Sequence, residues 1–149
     1  MTIGSICSRE TVIAKREDTV VGVAQLMRHH HVGDVVIVKQ ESGRNVPIGV
    51  VTDRDLVIEI LAQELSPAAV TVGDIMSGEI AMVREGDGIW DVVQAMRKKG
   101  VRRMPVVDQD GGLAGIVSLD DMLELLSEEL NGLTKIVGRE QERERATRK

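Results

Sequence analysis

A chain of 149 residues with 29% charged and 42% hydrophobic side chains has the balance of a soluble globular domain, or of two small units sharing a core. With no Phe, no Tyr and Trp90 alone, that core must be built from Val, Ile, Leu and Met, which argues against aromatic platforms for stacking single-stranded bases. A formal net charge of −5 argues against general attraction to polyanions, and one cysteine, Cys7, cannot close an internal disulfide.

No apolar run approaches the roughly 18 residues that cross a bilayer, so no membrane association is expected. The opening MTIGSICSRE lacks the basic start and apolar stretch of a signal peptide, and cytoplasm is the expected compartment.

The predicted elements come in an order that occurs twice. A short extended stretch (Thr11 to Lys15) precedes a helix with apolar residues Val20, Val23, Ala24 and Met27 at helical spacing. A continuous apolar run, Val35 to Val38, suits a buried strand. A turn, SGRNVPIG, leads to a second strand at Ile48 to Val51, and a second helix runs from about Asp53 to Leu65. Ser66-Pro67-Ala68-Ala69 marks a boundary, since Pro67 does not continue the preceding helix. The same order then returns: a stretch at Ile80 to Arg84, a helix with Ile89, Val92, Val93 and Met96, strands at Met104 to Val107 and Leu113 to Val117, and a helix from about Leu119 to Leu130. The end, Gly138 to Lys149, is mostly charged and has no apolar stripe; it reads as a frayed helix extension or a disordered tail.

Residue matches show that this is duplication. At an offset of 69, Ile6, Cys7, Ser8, Arg9 and Glu10 fall on Ile75, Met76, Ser77, Gly78 and Glu79, and Val23, Gln25, Met27, Arg28 and Val32 fall on Val92, Gln94, Met96, Arg97 and Val101. After a three-residue shift in the turn, Gly49-Val50-Val51-Thr52 lies on Gly115-Ile116-Val117-Ser118, and Asp55 on Asp121. The expected fold is mixed α/β (α+β), two β-α-β-β-α repeats at 1–66 and 67–133, with a charged tail at 134–149. Units of this size have marginal cores alone, and a ligand cleft is expected where they join.

Each repeat carries Gly-apolar-apolar-Thr/Ser-x-x-Asp between a strand and the second helix: GVVTDRD (Gly49 to Asp55) and GIVSLDD (Gly115 to Asp121). One reading is a capping box that satisfies free N–H groups at a helix start. The other is a ligand site: the helix start and hydroxyl suit a phosphate, the carboxylate can accept from two ribose hydroxyls, and the glycine permits close approach. Both readings stand at this level.

The duplicated motifs, with TVGDIMS (Thr71 to Ser77) and VRRMPVVD (Val101 to Asp108), resemble a CBS-domain pair (a Bateman module) over roughly residues 3 to 133. The resemblance implies a pseudo-two-fold pair with two clefts, a regulatory module binding AMP, ADP, ATP or a related adenosine compound such as S-adenosylmethionine. It assigns Thr52 (phosphate) and Asp55 (ribose) to one cleft and Ser118 and Asp121 to the other. It places Val12-Ile13, Ile80-Ala81, Val36 and Pro105 around the base. Arg102 and Arg103 match basic residues that reach phosphates in some relatives, whereas the first repeat has Gly33-Asp34 there, partly offset by Arg54; unequal clefts are therefore expected. The resemblance also implies a homodimer, with contacts around Leu56 to Leu65 and Met122 to Leu133, and output through an unidentified effector protein. The alternative is an interaction scaffold without a physiological nucleotide.

Other features read more plainly. RKKGVRR (97–103) is a solvated helix end stopped by Gly100 rather than a nucleic-acid site. Three consecutive histidines, His29 to His31, point in different directions and do not share the helix face that metal ligands need, so no metal is expected, while a pH-dependent role at a cleft mouth stays open. Cys7 aligns with Met76 as a small hydrophobe, and Trp90 as a packing residue at a dimer surface. Gly43, Gly111 and Gly112 are turn glycines. No nucleophile–base pair or cofactor fingerprint is present, and no enzyme activity is expected.

Overall fold

The computed structural model describes residues 1–76 and 79–148. Ser77 and Gly78, part of the repeat match, and Lys149, the end of the tail, lie outside the described residues. The chain divides into two compact units, Met1–Val117 and Ser118–Lys149.

The first unit holds two three-stranded sheets. In one, β1 (Ile13–Lys15) runs parallel to β2 (Asp34–Glu41), and β2 pairs antiparallel with β3 (Arg44–Thr52). The other has the order β4 (Val83–Arg84), β5 (Arg103–Val107), β6 (Leu113–Ser118), with β4 parallel to β5. The β2–β3 strands are longer than the apolar run predicts, because Ser42 and Gly43 both take positive φ (52° and 77°) and close a tight hairpin that extends the ladder into polar residues.

The helices follow the expected periodicity. Thr19 caps α1 (Val20–His30), accepting from the Gly22 amide at 3.1 Å, and α1 buries Val20, Val23 and Met27. Its counterpart α4 (Ile89–Lys99) buries Ile89, Val92 and Met96. Both helices end on a left-handed residue, His31 (φ 55°) and Gly100 (φ 66°), so the histidines do form a helix end. After β3 comes a short α2 (Asp53–Leu56), continued by a π-helical turn, Val57–Leu61. It stops short of the expected Leu65, since Glu64 adopts a positive φ of 55° and turns the chain away. A further short helix, α3 (Val72–Ile75), precedes β4.

One core joins Ala14, Val20, Val23, Met27, Val35, Ile37, Val51, Ile60 and Val72. Val72 belongs to the leading segment of the second repeat, so that segment is built into the first repeat's core. The Val20 amide donates to Val70 O (2.8 Å) and the Val72 amide to Asp18 O (2.9 Å). Conversely, the N-terminal segment lies along the second sheet: the Ile3 amide donates to Asp87 O (2.8 Å), and Ser8 and Ile116 exchange amide bonds at 2.9 Å. Each repeat thus gives its leading segment to the other.

The second unit is the helix α5 (Leu119–Thr147), 29 residues long and capped by Ser118. It runs well past the expected Leu130 and takes in most of the charged end, so of the two readings of that end the helix extension is the one found. No helix among the described residues is long and apolar enough to cross a membrane.

Candidate functional site

The motif turn at the end of β3 is locally self-satisfying. The Thr52 amide donates to Asp55 Oδ2 (2.9 Å) and the Asp55 amide donates to Thr52 Oγ1 (3.2 Å), a complete capping box. This uses one carboxylate oxygen and the acceptor capacity of the hydroxyl. Asp55 Oδ1 has no hydrogen-bond partner among the described residues, and the Thr52 hydroxyl keeps its proton to donate. Capping and ligand contact are therefore compatible in the same two residues.

These residues border a cleft of 550 Å³, within the size range of small-molecule sites. Its walls come from both repeats. Val50, Thr52, Asp53, Arg54 and Asp55 form one side; Glu79, Ile80 and Ala81, ahead of β4, and Gly100 to Arg103, ahead of β5, form the other. Of the residues singled out in the sequence, the fold brings together Thr52, Arg54, Asp55, Ile80, Ala81, Arg102 and Arg103. Asp53, Glu79 and Val101 were missed, although Asp53 lies inside the motif and Glu79 directly precedes Ile80.

Val36 and Pro105 do not line the cleft. Both are fully buried strand residues, enclosed because the run of apolar side chains that makes a strand attractive as a base-stacking wall also makes it core. Val12 and Ile13 line a separate hollow of 510 Å³ with Glu10, Thr11, Leu26, His30 and Val32. Ser118 and Asp121, in the second unit, repeat the reciprocal cap: the Ser118 amide donates to Asp121 Oδ2 (2.8 Å) and the Asp121 amide to Ser118 Oγ (3.1 Å).

The electrostatics differ from a simple basic pocket. Three arginines (54, 102, 103) and three acids (53, 55, 79) share the walls. Arg103 Nε lies 3.2 Å from Asp34 Oδ1, and the Asp34 side chain is 16% exposed. The acid and the arginine that the two repeats place at matching positions thus face each other instead of belonging to separate clefts. Burial holds the Asp34 carboxyl above its ordinary range; the Arg103 charge lowers it in part, and Asp53 raises it further.

The motif glycines have a role other than admitting a ligand. A Cβ on Gly49 would meet the Met76 thioether at 3.3 Å, and one on Gly115 would meet Cys7 Sγ at 2.9 Å and collide with the Ser8 carbonyl oxygen. Cys7 and Met76, aligned in the repeats, are each set against the motif glycine of the opposite repeat. The crossing segments, not a ligand, occupy the space that the missing side chains leave.

Among the described residues no group of three or more His, Cys, Asp or Glu side chains is placed to share a metal ion. Trp90 is exposed on α4.

Relatives agree with this architecture. An uncharacterized protein of Methanopyrus kandleri is 38% identical over 125 residues; the match takes in 84% of this chain but only 62% of that relative's length. Hypoxic response protein 1 of Mycobacterium tuberculosis is 33% identical over 111 residues, 74% of this chain and 75% of that one. A crystal structure of Hypoxic Response Protein I, with two coordinated zinc ions, matches at 31% identity and a TM-score of 0.72, covering 83% of this chain and 98% of that one. The CBS domain pair of protein MJ0100, solved with 5′-methylthioadenosine and S-adenosyl-L-methionine, has the same fold: TM-score 0.74 at 22% identity, covering 87% and 98% of the two chains. The CBS domain family itself matches residues 3–62 and 72–128, once for each repeat, and this chain belongs to that family.

Proposed function

We propose that this protein is a regulatory ligand-sensing module whose Thr52–Asp55 cleft binds an adenosine-type nucleotide, of the AMP, ADP, ATP or S-adenosylmethionine class. The observation that carries the reading is the convergence in one cleft of the motif hydroxyl and carboxylate from the first repeat with Arg102 and Arg103 from the second. Asp55 Oδ1 accepts from the ribose, the Thr52 hydroxyl donates to a phosphate or its equivalent, and Arg102 balances charge. Ile80, Ala81 and Val101 supply apolar surface for the base. That MJ0100 carries adenosine compounds on the same fold supports the ligand class. Ser118 and Asp121 have the same local construction and are assigned the same role toward a second ligand. The module acts without catalysis, as a homodimer in the cytoplasm, and passes its state to an effector protein by differential ligand affinity for two arrangements.

Thermal melting against AMP, ADP, ATP and S-adenosylmethionine, with guanosine equivalents as controls, tests this. At about 100 times the dissociation constant a ligand adds roughly 2.7 kcal/mol, a rise on the order of 5–10 °C for a chain of this size. Asp55→Ala abolishes the rise and also loses a cap, about 0.5–2 kcal/mol. Asp74→Ala separates the two effects. The Thr71 amide donates to Asp74 Oδ2 at 3.0 Å in a similar helix-start bond, but Asp74 is not in the cleft, so this variant keeps the ligand response. Unchanged melting across the whole panel overturns the reading and favours the scaffold alternative, in which the reciprocal bonds of Thr52 and Asp55 are caps alone.

A further inference from the structure

One of the three cleft arginines is already engaged from behind. Arg103 lies on the wall with its side chain 41% exposed, and its Nε reaches Asp34 Oδ1 at 3.2 Å. Asp34 is not a wall residue: its side chain is only 16% exposed, and its place on β2 is opposite Thr52 of β3, which carries the motif hydroxyl. A second acid is held close to it. The Asp53 amide donates to Gly33 O at 2.9 Å, and the Asp53 charge acts on Asp34 as a like charge. Arg103 is the positive charge that offsets the burial of Asp34. On the walls three arginines cancel three acids, so Asp34 gives the surroundings of the cleft an excess of acid.

We infer that Asp34 is a positioning residue that sets how much negative charge the cleft accepts: by holding Arg103 it turns away polyphosphates and selects adenosine compounds with at most one phosphate. The inference deepens the reading above and rests on it. A phosphate that drew Arg103 into the cleft would take from Asp34 its cation and leave a largely buried carboxylate beside Asp53. The incoming charge would also meet Asp53, Asp55 and Glu79 on the walls, and each further phosphate adds to that repulsion. Arg54 and Arg102 remain to balance a single phosphate. An uncharged ligand meets neither cost. Its ribose is accepted by Asp55 and its base lies on Ile80, Ala81 and Val101, with the Asp34–Arg103 pair left intact. The sulfonium of S-adenosylmethionine, which makes its net charge positive, suits the same surroundings.

The test is calorimetric titration of the full-length chain with adenosine, AMP, ATP and S-adenosylmethionine, without magnesium; the first three differ only in their phosphates. Wild type is expected to bind ATP more weakly than adenosine by about tenfold or more. Asp34→Asn releases Arg103 and is expected to tighten ATP by about tenfold or more while adenosine changes by less than about threefold, a split that a purely structural role does not produce. Asp34→Asn/Arg103→Gln is expected to lose that gain. Glu41→Gln removes the same charge at the far end of β2 and is expected to leave every affinity as it was. Melting verifies that each variant is folded. Wild type that binds ATP as tightly as adenosine overturns the inference and leaves the nucleotide reading standing. So does Asp34→Asn without a gain for ATP, or a gain that survives in the double variant or appears equally in Glu41→Gln. Binding of none of the four compounds by any form of the chain overturns both.

Discussion

Among single residues, Asp34 and Arg103 are the informative pair. In the sequence, Gly33-Asp34 and Arg102-Arg103 occupy matching positions and read as marks of two unlike clefts. Across the fold they become partners, 3.2 Å apart, with Asp53 as the other charge acting on Asp34. Because the folded Asp34 carboxyl titrates above its unfolded value, its ionised form costs stability at neutral pH, and that cost fades as the pH falls through the raised pKa. Asp34→Asn is therefore expected to be neutral or stabilising at pH 7 by about 1 kcal/mol or less, since Arg103 is partly solvated and tolerates loss of its partner. The gain shrinks on acidification and is gone below the ordinary carboxylate value of 3.8. Denaturant unfolding from pH 7 to pH 3 checks this; a loss of stability at pH 7 that persists in acid refutes it. The capping pairs lie at the opposite extreme of legibility. Thr52 with Asp55 and Ser118 with Asp121 were readable because both partners sit within one helical turn, where spacing alone determines geometry.

At the level of elements, α1 and α4 act as internal controls for each other. Both stop by a left-handed residue that follows a basic last turn, Arg28, His29 and His30 in one and Arg97, Lys98 and Lys99 in the other. Gly100 accepts that conformation without strain, but His31 carries a Cβ there. His31→Gly is predicted to stabilise the chain by roughly 0.5–1 kcal/mol, measured by thermal or urea unfolding. A loss of stability instead implies that the His31 side chain makes a contact worth more than the strain. Apart from the short α3, which was not expected, the order of the main elements followed from hydrophobic periodicity. Exceptions include ends decided by backbone conformation rather than by pattern: the hairpin at Ser42-Gly43, the stop at Glu64, and the continuation of α5 beyond Leu130 into a charge-rich end.

For the molecule as a whole, the exchange of leading segments explains why residues 1–117 form one compact unit instead of dividing at the repeat boundary. It also explains the motif glycines. Gly115 faces a backbone carbonyl, that of Ser8, which belongs to a bridged segment and cannot give way; Gly49 faces the flexible end of Met76. Gly115→Ala is predicted to destabilise by about 1–3 kcal/mol and Gly49→Ala by less, in side-by-side melts, with equal costs counting against the crossing-segment account. The sequence by itself determined the duplication, the order of elements, the helix caps and the CBS family, because each is written in residues close together along the chain or in their recurrence. Only the tertiary structure decided that Arg102 and Arg103 meet the first motif, that Arg103 is held by Asp34, that Val36 and Pro105 are core, and that each repeat is completed by the other's leading segment. Those contacts join residues some fifty to a hundred positions apart, and their geometry is set by how two sheets pack, which no local spacing encodes.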